Sequence, residues 1–571
     1  MATVTPATET LNEELRPACD IYPPGVPHTL DYPDIAAWGL LDRAARLLPK
    51  HTGCLYNNVA WSWEELNQAA CKTAAMLKRQ GIEPGDRVGL LLPNIPEYLI
   101  ALNGIWPRGG VAVAISPLCV AEEVTALVNA TDCRLVVSLD MLAHLLTTTG
   151  GDEDDELPPK ILFISLRHGL SVFEQLGYLV LRRKKTGRWW MEAGERIGWF
   201  WDEVGRFDAD EPQHVPADID PATTPAYILA TGGTTGMPKA VTLSHRNMVA
   251  NAWQQYFWAG ASVGQERLLS VLPFFHSYGL STNVMGGAAM AATLIMDHRF
   301  NVRQAIRLIE TYRPTVFHAV PAMLVAMNEH LRTRKADLTS IKWVISGGST
   351  LPVAVGEEFA AHTGAIVVEG YGLSEASPVT HVGPLNENAR YGTIGLPLPD
   401  TECRLVSTED GRTEVGKGES GELLVRGPQV MLGYWKNDEA TRQAIHDGWL
   451  STGDIAVRTP EGLYQIVDRK KDLIITSSFN VVPREVEDVL RRFPGVEDAA
   501  VVGVPDEHRG EIVKAFIVMK DASKWDEDAI NHFCREHLAA HKRPRALERC
   551  DSLPKNFLGK VIRRHLREDK T

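Results

Sequence analysis

The sequence lacks several features, and each absence argues against a class of protein. Its eight cysteines are scattered without a Cys-x-x-Cys pair, which argues against zinc and disulfide frameworks and favours a reducing cytosol. No apolar run is long enough to span a bilayer, and the polar, acidic N-terminus through Pro17 lacks the apolar core of a secretory signal. The formal net charge of −13 argues against a nucleic-acid binder. We therefore expect a cytoplasmic protein, either free or peripheral on the inner face of the membrane.

Length and periodicity predict an α/β protein with more than one domain. The chain has 571 residues, 44% hydrophobic and 23% charged, as in ordinary globular proteins that divide into domains. Short apolar runs alternate with helical stretches, which is typical of βαβ units and a largely parallel sheet. The predicted strands are 87–94, 111–115, 134–138 and 161–165, with a helix over 97–106. Residues 29–81 show a helical pattern, with Ser62 as the expected cap.

A loop rich in glycine and threonine follows the apolar run that ends at Ala230. It reads Thr-Gly-Gly-Thr-Thr-Gly-Met-Pro-Lys from Thr231 to Lys239. Glycines let backbone N–H groups approach a ligand closely, and hydroxyls with an ammonium suit a polyphosphate. The P-loop pattern is absent, because Pro238 precedes Lys239 and Ala240 follows it. On these residues alone, a phosphate loop and a solvated turn both stay open.

Residues 150–215, which include the predicted strand 161–165, form an unusual amphipathic insertion before the glycine-rich loop. Apolar residues at helical spacing over 170–180 are followed by the basic run 182–185, by Trp189 and Trp190, and by the aromatic run 199–201. Basic side chains beside tryptophans are typical of a helix lying at a membrane surface. The alternative is a helical hairpin packed on the parent domain, with the tryptophans in its seam.

The glycine-rich loop, followed by Leu-Ser-His-Arg-Asn, resembles the signature of the adenylate-forming enzymes. This superfamily includes acyl-CoA synthetases, adenylation domains of peptide synthetases, and luciferases. Four further motifs of the family occur downstream in the same order, so the resemblance covers nearly the whole chain, and it is strongest to bacterial long-chain fatty acid–CoA ligases. It implies a large N-terminal domain of α/β subdomains with parallel sheets and a small barrel-like β subdomain. A small, mobile α+β C-terminal domain would follow.

The resemblance implies roles for individual residues of the N-terminal region. His276, in an aromatic turn, would line the acyl pocket. Tyr371 would stack on adenine, and Glu375 would hold Mg²⁺. Lys239 and Glu375 count among the expected catalytic residues. The expected ATP-binding residues upstream of the ribose site are Thr231, Gly232, Gly233, Thr234, Thr235, Gly236, Lys239, Gly347, Gly348, Ser349, Glu369, Gly370, Tyr371, Gly372 and Ser374.

The remaining motifs fall near and beyond the expected domain boundary. Asp454, after Thr-Gly, would bind the ribose hydroxyls, and Arg469 would reach ribose and phosphates. Lys471 would be the hinge residue, dividing an N-terminal domain (1–468) from a C-terminal domain (469–571). Lys560, in Pro-Lys-Asn-Phe-Leu-Gly-Lys, would be the catalytic lysine. Ser478 would lie beside the path of CoA.

These roles imply an AMP-forming CoA ligase for a medium- or long-chain fatty acid that uses ATP, Mg²⁺ and coenzyme A. Two alternatives are a ligase that loads an acyl carrier protein and a ligase for an aryl or sterol-side-chain acid. A third is a catalytically inactive acyl- or nucleotide-binding protein. Two departures from the family pattern stand out: Ala240 replaces a usual glycine, and Ser478 does so near the thiol route. Chain length of the acid and oligomeric state are not assigned, and a homodimer stays open.

Overall fold

The computed structural model describes residues 21–146, 160–166, 172–186, 193–207, 219–231, 239–476, 479–506, 510–555 and 561–568. Two large, mainly parallel sheets build most of the molecule, and two smaller sheets follow along the chain. The architecture is therefore a mixed α/β fold with a large N-terminal part and a small C-terminal part.

The first large sheet has nine strands among the described residues. Its six central strands run parallel, and antiparallel strands close both edges. In spatial order the strands are Leu396–Pro397, Val379–Val382, Ile366–Gly372, Trp343–Ser346, Val316–Ala319, Arg267–Ser270, Thr293–Met296, Thr52–Tyr56 and Val59–Ser62.

The second large sheet carries the strand that leads into the glycine-rich loop. Six of its eight described strands run parallel, and the last two are added antiparallel beyond that strand. In spatial order the strands are Gly433–Tyr434, Lys239–Ser244, Pro225–Thr231, Val111–Ala114, Arg87–Leu91, Cys133–Leu139, Lys160–Ile164 and Ile197–Trp199. The strands and helix predicted over 87–165 are confirmed.

The two smaller sheets are formed by successive parts of the chain. An antiparallel sheet contains Glu402–Val406, Gly421–Arg426, Trp449–Arg458, Ile445–His446 and Tyr464–Arg469. The last sheet contains Phe479–Val481, Ile474–Thr476, Gly510–Met519, Val496–Asp506 and Ala546–Cys550, with helices packed on it. This α+β arrangement matches the expected C-terminal part.

The helices pack against the sheets, and several of them begin at a side-chain cap. In chain order they are Gly39–Leu47, Trp63–Arg79, Pro96–Ile105, Ala121–Ala130, Val172–Thr186, Phe200–Val204, His245–Trp258, Ser277–Gly279, Gly286–Met290, Val302–Tyr312, Pro321–Thr333, Val353–Thr363, Asp438–Ala444, Pro483–Arg491, Glu527–His537 and Arg563–Glu568. Ser62 caps the second helix in a reciprocal pair with Glu65, as predicted.

The helical expectation for residues 29–81 is wrong before Gly39, where the first helix begins, and in its middle. Thr52–Tyr56 and Val59–Ser62 form an antiparallel hairpin at the edge of the first sheet. Asn57 and Asn58 connect them with positive φ angles of 48° and 62°. Asparagine tolerates this conformation well, so Asn-Asn supports a tight turn between the strands.

The described part of the insertion packs on the parent domain. Val172–Thr186 is the crossover helix between two parallel neighbours, Lys160–Ile164 and Ile197–Trp199. Trp201 stacks on Trp61 at 6.0 Å between ring centroids, and its indole N–H donates to Glu97 Oε1 at 3.1 Å. The aromatic run therefore packs on the parent domain, as the alternative expected, but it belongs to the strand Ile197–Trp199 and the short helix Phe200–Val204 rather than to a helical hairpin.

Arg182 is buried, contrary to the expectation that the whole basic run 182–185 faces lipid. Its guanidinium donates to Asp140 Oδ2 at 2.7 Å, and both side chains are buried. Tyr178, one turn earlier, donates its hydroxyl to the other oxygen of Asp140. The pair fixes the helix to the sheet, because a buried charge requires a partner. Among the described helices, none is long and apolar enough to cross a membrane.

Candidate active site

One large cavity brings together most of the predicted site residues that the structure describes. Its volume is about 1000 Å³, and it opens where strands of the first large sheet end beside the antiparallel sheet. Ligands of open α/β sheets typically bind at the carboxyl ends of the strands. The predicted residues that line it are His276, Gly347, Gly348, Gly370, Tyr371, Gly372, Ser374, Glu375, Asp454 and Arg469.

Asp454 is held in place by two neighbouring side chains. The Tyr371 hydroxyl donates to Asp454 Oδ2 at 2.7 Å. Arg469, its cross-strand partner, brings its Nε to 3.1 Å from Oδ1. Burial and the nearby carboxylate of Asp454 raise the pKa of Tyr371 well above its usual value. The carboxylate is thus fixed at the cavity wall, where it can accept hydroxyl donors from a ligand.

Glu375 lies on the cavity wall beside a tyrosine that the motif analysis did not identify. The Tyr434 hydroxyl donates to Glu375 Oε1 at 2.8 Å. Burial, and then Glu375, raises the pKa of Tyr434, so this hydroxyl stays a donor at neutral pH. The Lys239 ammonium lies 4.9 Å from the centre of the Tyr434 ring, a distance at which cation and ring attract each other. Lys239 is therefore close to the cavity, although it does not line it.

The aromatic turn that contains His276 lies within hydrogen-bond distance of the segment 371–375. Ser277 and Ser374 bring their hydroxyl oxygens to 3.0 Å, which joins the His276 turn to the Tyr-Gly-Leu-Ser-Glu segment. His276 Nδ1 accepts the Tyr278 N–H at 3.2 Å, and burial lowers the pKa of His276 to about 4. The imidazole is therefore neutral at pH 7. A Cβ on Gly372 would lie 1.9 Å from the Pro378 carbonyl oxygen, so this close approach requires glycine.

Ser349 and Glu369 do not line the cavity. Glu369 Oε2 accepts the Leu351 N–H at 3.0 Å, while its Oε1 has no hydrogen-bond partner among the described residues. Burial raises the pKa of Glu369 to about 7. Its position in the structure indicates that it supports the adjacent loop.

Several predicted residues fall outside the described residues. These are Gly232, Gly233, Thr234, Thr235 and Gly236 of the glycine-rich loop, Ser478, and Lys560. Thr231 ends its strand and Lys471 lies in a short turn, and only their backbones are described. Their predicted roles stay predictions.

One arginine that the motif analysis left without a role, Arg563, lines the cavity and pairs with three carboxylates. Arg563 contacts Asp472 at 2.9 Å, Glu487 at 2.8 Å and Asp468 at 3.6 Å. These three carboxylates come from the expected hinge region and from the helix after it. Arg563 belongs to the segment that follows Lys560, and its place in the Gly-Lys motif was the available signal.

The far end of the cavity is largely apolar. The first sheet and the helix His245–Trp258 supply its walls, together with the turn of helix that follows His276. The apolar side chains that line it include Trp258, Leu268, Met290, Val316, Trp343 and Val382. Such a surface can bury a hydrocarbon group while the polar end holds charged ligand groups.

The fold and this two-ended cavity define an enzyme that activates a carboxylic acid with a nucleotide. Residues 41–435 match the family described as AMP-binding enzyme, and residues 485–560 match its C-terminal domain. The chain belongs to the AMP-binding enzyme family.

Two related enzymes and one solved structure match this chain over most of its length. A long-chain-fatty-acid–CoA ligase of Bacillus subtilis is 35% identical, over 96% of this chain and 97% of the relative. A CoA ligase of Mycobacterium tuberculosis, named for a methyl-dioxo-octahydroindenyl propanoyl group, is 33% identical over 92% and 97%. Among solved structures, a Mycobacterium tuberculosis fatty acyl CoA synthetase matches with a TM-score of 0.70 and 27% identity, covering 93% of this chain and 98% of that one.

Proposed function

We propose that this enzyme activates a medium- or long-chain fatty acid with ATP and transfers the acyl group to coenzyme A. Acyl-AMP and pyrophosphate would form first, and the CoA thiol would then displace AMP. The observation that carries the proposal is the single cavity with Asp454 and Glu375 at one end and an apolar pocket at the other. The long-chain-fatty-acid–CoA ligase among its relatives supports the choice of acid.

The chemistry requires positioning and charge neutralisation. A carboxylate is a poor electrophile, because its oxygen is a poor leaving group, and joining it to AMP provides a better one. Carboxylate and triphosphate repel each other, so fixed cations and donors must hold them together. Asp454, oriented by Tyr371 and Arg469, would accept the ribose hydroxyls. Lys560 would bridge the carboxylate and the α-phosphate, and the glycine-rich loop would bind the outer phosphates.

Glu375 fits the requirements of a Mg²⁺ ligand. Magnesium prefers oxygen ligands and is commonly held by one or two carboxylates together with substrate phosphates. The hydrogen bond from Tyr434 to Glu375 Oε1 would orient this carboxylate to hold the ion. No group of three or more His, Cys, Asp or Glu side chains suited to a metal occurs in the described part of the chain. The ion, when bound, would neutralise phosphate charge.

The second half-reaction would use a movement of the C-terminal domain about Lys471, with residues 1–468 and 469–571 as the two bodies. Arg563 of the second body crosses this proposed division, because it pairs with Asp468 at the end of the first body and with Glu487 of the second. Breaking the Asp468 contact would accompany the movement. Ser478 would then lie beside the entering thiol.

We also infer a reversible contact with anionic lipid through one face of the helix Val172–Thr186. Val180 and Leu181 are 57% and 54% exposed, and Arg183 and Lys184 are exposed beside them. An apolar stripe flanked by cations suits an anionic headgroup layer. Flotation with anionic vesicles should recover the protein, less at high salt, and less after Arg183 and Lys184 are changed to glutamine. Equal recovery of the variant would contradict the assignment.

The proposed activity is tested by acyl-CoA formation across acids of graded chain length, with thioester and AMP measured together. Medium or long chains should give the highest kcat/KM. Acyl-AMP without thioester, together with transfer to a carrier protein, would favour the carrier-loading alternative. A preference for aryl or ring-bearing acids would favour the other alternative, which the indenyl-propanoyl CoA ligase among its relatives supports. A homodimer would appear as a doubled mass in light scattering.

A further inference from the structure

Two polar side chains interrupt the apolar end of the cavity. Gln255 lies on the helix His245–Trp258, and His318 lies on the strand Val316–Ala319. Both line the cavity beside residues such as Trp258, Met290 and Trp343. An unsubstituted hydrocarbon chain would offer neither side chain a hydrogen-bond partner.

His318 faces the cavity because of the alternation of its strand. Phe317 and Ala319 pack into the core on the opposite face, while Val316 and His318 line the cavity. His318 is 7% exposed, and its Nδ1 has no hydrogen-bond partner among the described residues. Tyr278 lies edge-on at 6.1 Å between ring centroids, but its hydroxyl donates to the Ile345 carbonyl.

Burial lowers the pKa of His318 to about 4, so the imidazole is neutral at pH 7. A neutral imidazole has one N–H donor and one acceptor nitrogen. Protein atoms enclose Nδ1, so a ligand in the cavity could pair with the imidazole only through Nε2. A polar group on the ligand would give that nitrogen a partner where a hydrocarbon would not.

Gln255 presents an acceptor whose orientation is fixed by its neighbours. Its Nε2 donates to the Asn251 carbonyl at 3.1 Å, to Asn251 Oδ1 at 3.2 Å and to Ser281 Oγ at 2.8 Å. A backbone carbonyl can only accept, so the nitrogen must face Asn251. Asn251 is itself fixed, because its Nδ2 donates to the Val379 carbonyl at 2.7 Å. Gln255 Oε1 is therefore directed away from this network.

We propose that the acid bound here carries a hydroxyl group on its acyl part, recognised by His318, with Gln255 Oε1 as a further acceptor. The inference rests on the proposed function and specifies its substrate class. A hydroxyl both donates and accepts, which matches a neutral imidazole, and it can donate to a carboxamide oxygen where a ketone cannot.

The position of His318 places the hydroxyl in the half of the acyl part nearer the carboxylate. His318 pairs with Ile345, two residues before Gly347, whereas Val316 pairs with Trp343, further from the nucleotide end. Strand residues advance about 3.3 Å each. His318 therefore lies roughly two strand residues nearer the nucleotide end of the cavity than Val316 does. The apolar remainder of the acid would then lie against Trp343.

The test measures kcat/KM for acyl-CoA formation with one medium-chain acid and its hydroxylated forms, the hydroxyl moving one carbon at a time from the third carbon. At least one isomer should exceed the parent acid by about tenfold or more, because a site built for a hydroxyl discriminates against an analogue without it. In His318→Phe this ratio should fall to about one. His318→Gln, which restores a donor and an acceptor, should keep part of the preference.

The outcomes separate this inference from the proposed function. Thermal unfolding would first establish that both variants fold, which we expect because phenylalanine removes an unpaired polar group from a buried position. No preference for any isomer, or a preference that survives in His318→Phe, would overturn the inference while leaving the ligase activity in place. No pyrophosphate release with any acid would overturn both.

Discussion

Replacing Tyr434 with phenylalanine removes one atom and tests the role of Glu375. The lost hydroxyl donates to Glu375 Oε1 at 2.8 Å, while the ring that faces the Lys239 ammonium at 4.9 Å is retained. A hydrogen bond to a charged group contributes about 1.5–3 kcal/mol. Loss of a partner that orients a metal ligand typically weakens metal affinity about 10–100-fold. We therefore expect the Mg²⁺ concentration for half-maximal activity to rise about tenfold or more.

The assay is ATP–pyrophosphate exchange dependent on a fatty acid, measured over a range of Mg²⁺ concentrations. Tyr371→Phe is the matched control, because it removes a hydroxyl that donates to Asp454 at 2.7 Å and leaves Glu375 untouched. It should raise the KM for ATP without changing the Mg²⁺ requirement. An unchanged Mg²⁺ requirement in Tyr434→Phe would refute the assignment of Glu375 as the metal ligand.

Three further predictions concern stability and the first half-reaction. Arg182→Met should lower the free energy of unfolding by about 3–5 kcal/mol, because Asp140 stays buried without its partner; Arg183→Met, on the exposed side of the helix, should change it by less than about 0.5 kcal/mol. Glu369 has a native pKa raised by burial to about 7, so its contribution to stability is lost as pH rises towards 7. Glu369→Gln should gain stability relative to wild type in thermal unfolding at pH 8, and no gain at pH 4. Lys560→Ala should abolish pyrophosphate exchange yet still convert supplied acyl-adenylate and CoA to thioester, and wild-type exchange rates would exclude its assigned role.

Sequence motifs predicted the residues whose neighbours along the chain define a turn or a strand end. Tyr371, Ser374 and Glu375 stand in one segment, and the structure places all three on the cavity wall. Asp454 was predicted as well, because its Thr-Gly-Asp sequence is a local pattern that resembles the family's motif. Contacts at the edge of a sheet between residues far apart in the sequence leave no such local pattern. Tyr434 reaches Glu375 from a two-residue strand paired with Lys239–Ser244.

The sequence also did not predict which charged and polar side chains are buried. A basic run predicts solvent or lipid exposure, yet Arg182 is buried because Asp140, far from it along the chain, supplies a partner. His318 sits within an ordinary apolar strand pattern, and only the tertiary structure shows which face lines the cavity. The Thr52–Ser62 hairpin was missed because Trp61 and Ser62 carry the signal of the helix that follows it.

The most direct test of the whole account follows an oxygen atom through the reaction. A fatty acid labelled with ¹⁸O in both carboxylate positions is incubated with the enzyme, ATP, Mg²⁺ and CoA, and the nucleotide product is examined by mass spectrometry. If the carboxylate attacks the α-phosphorus, each thioester formed leaves one ¹⁸O in AMP, with unlabelled pyrophosphate. Unlabelled AMP, or labelled phosphate released with ADP, would contradict an acyl-adenylate intermediate and with it the assigned role of the cavity.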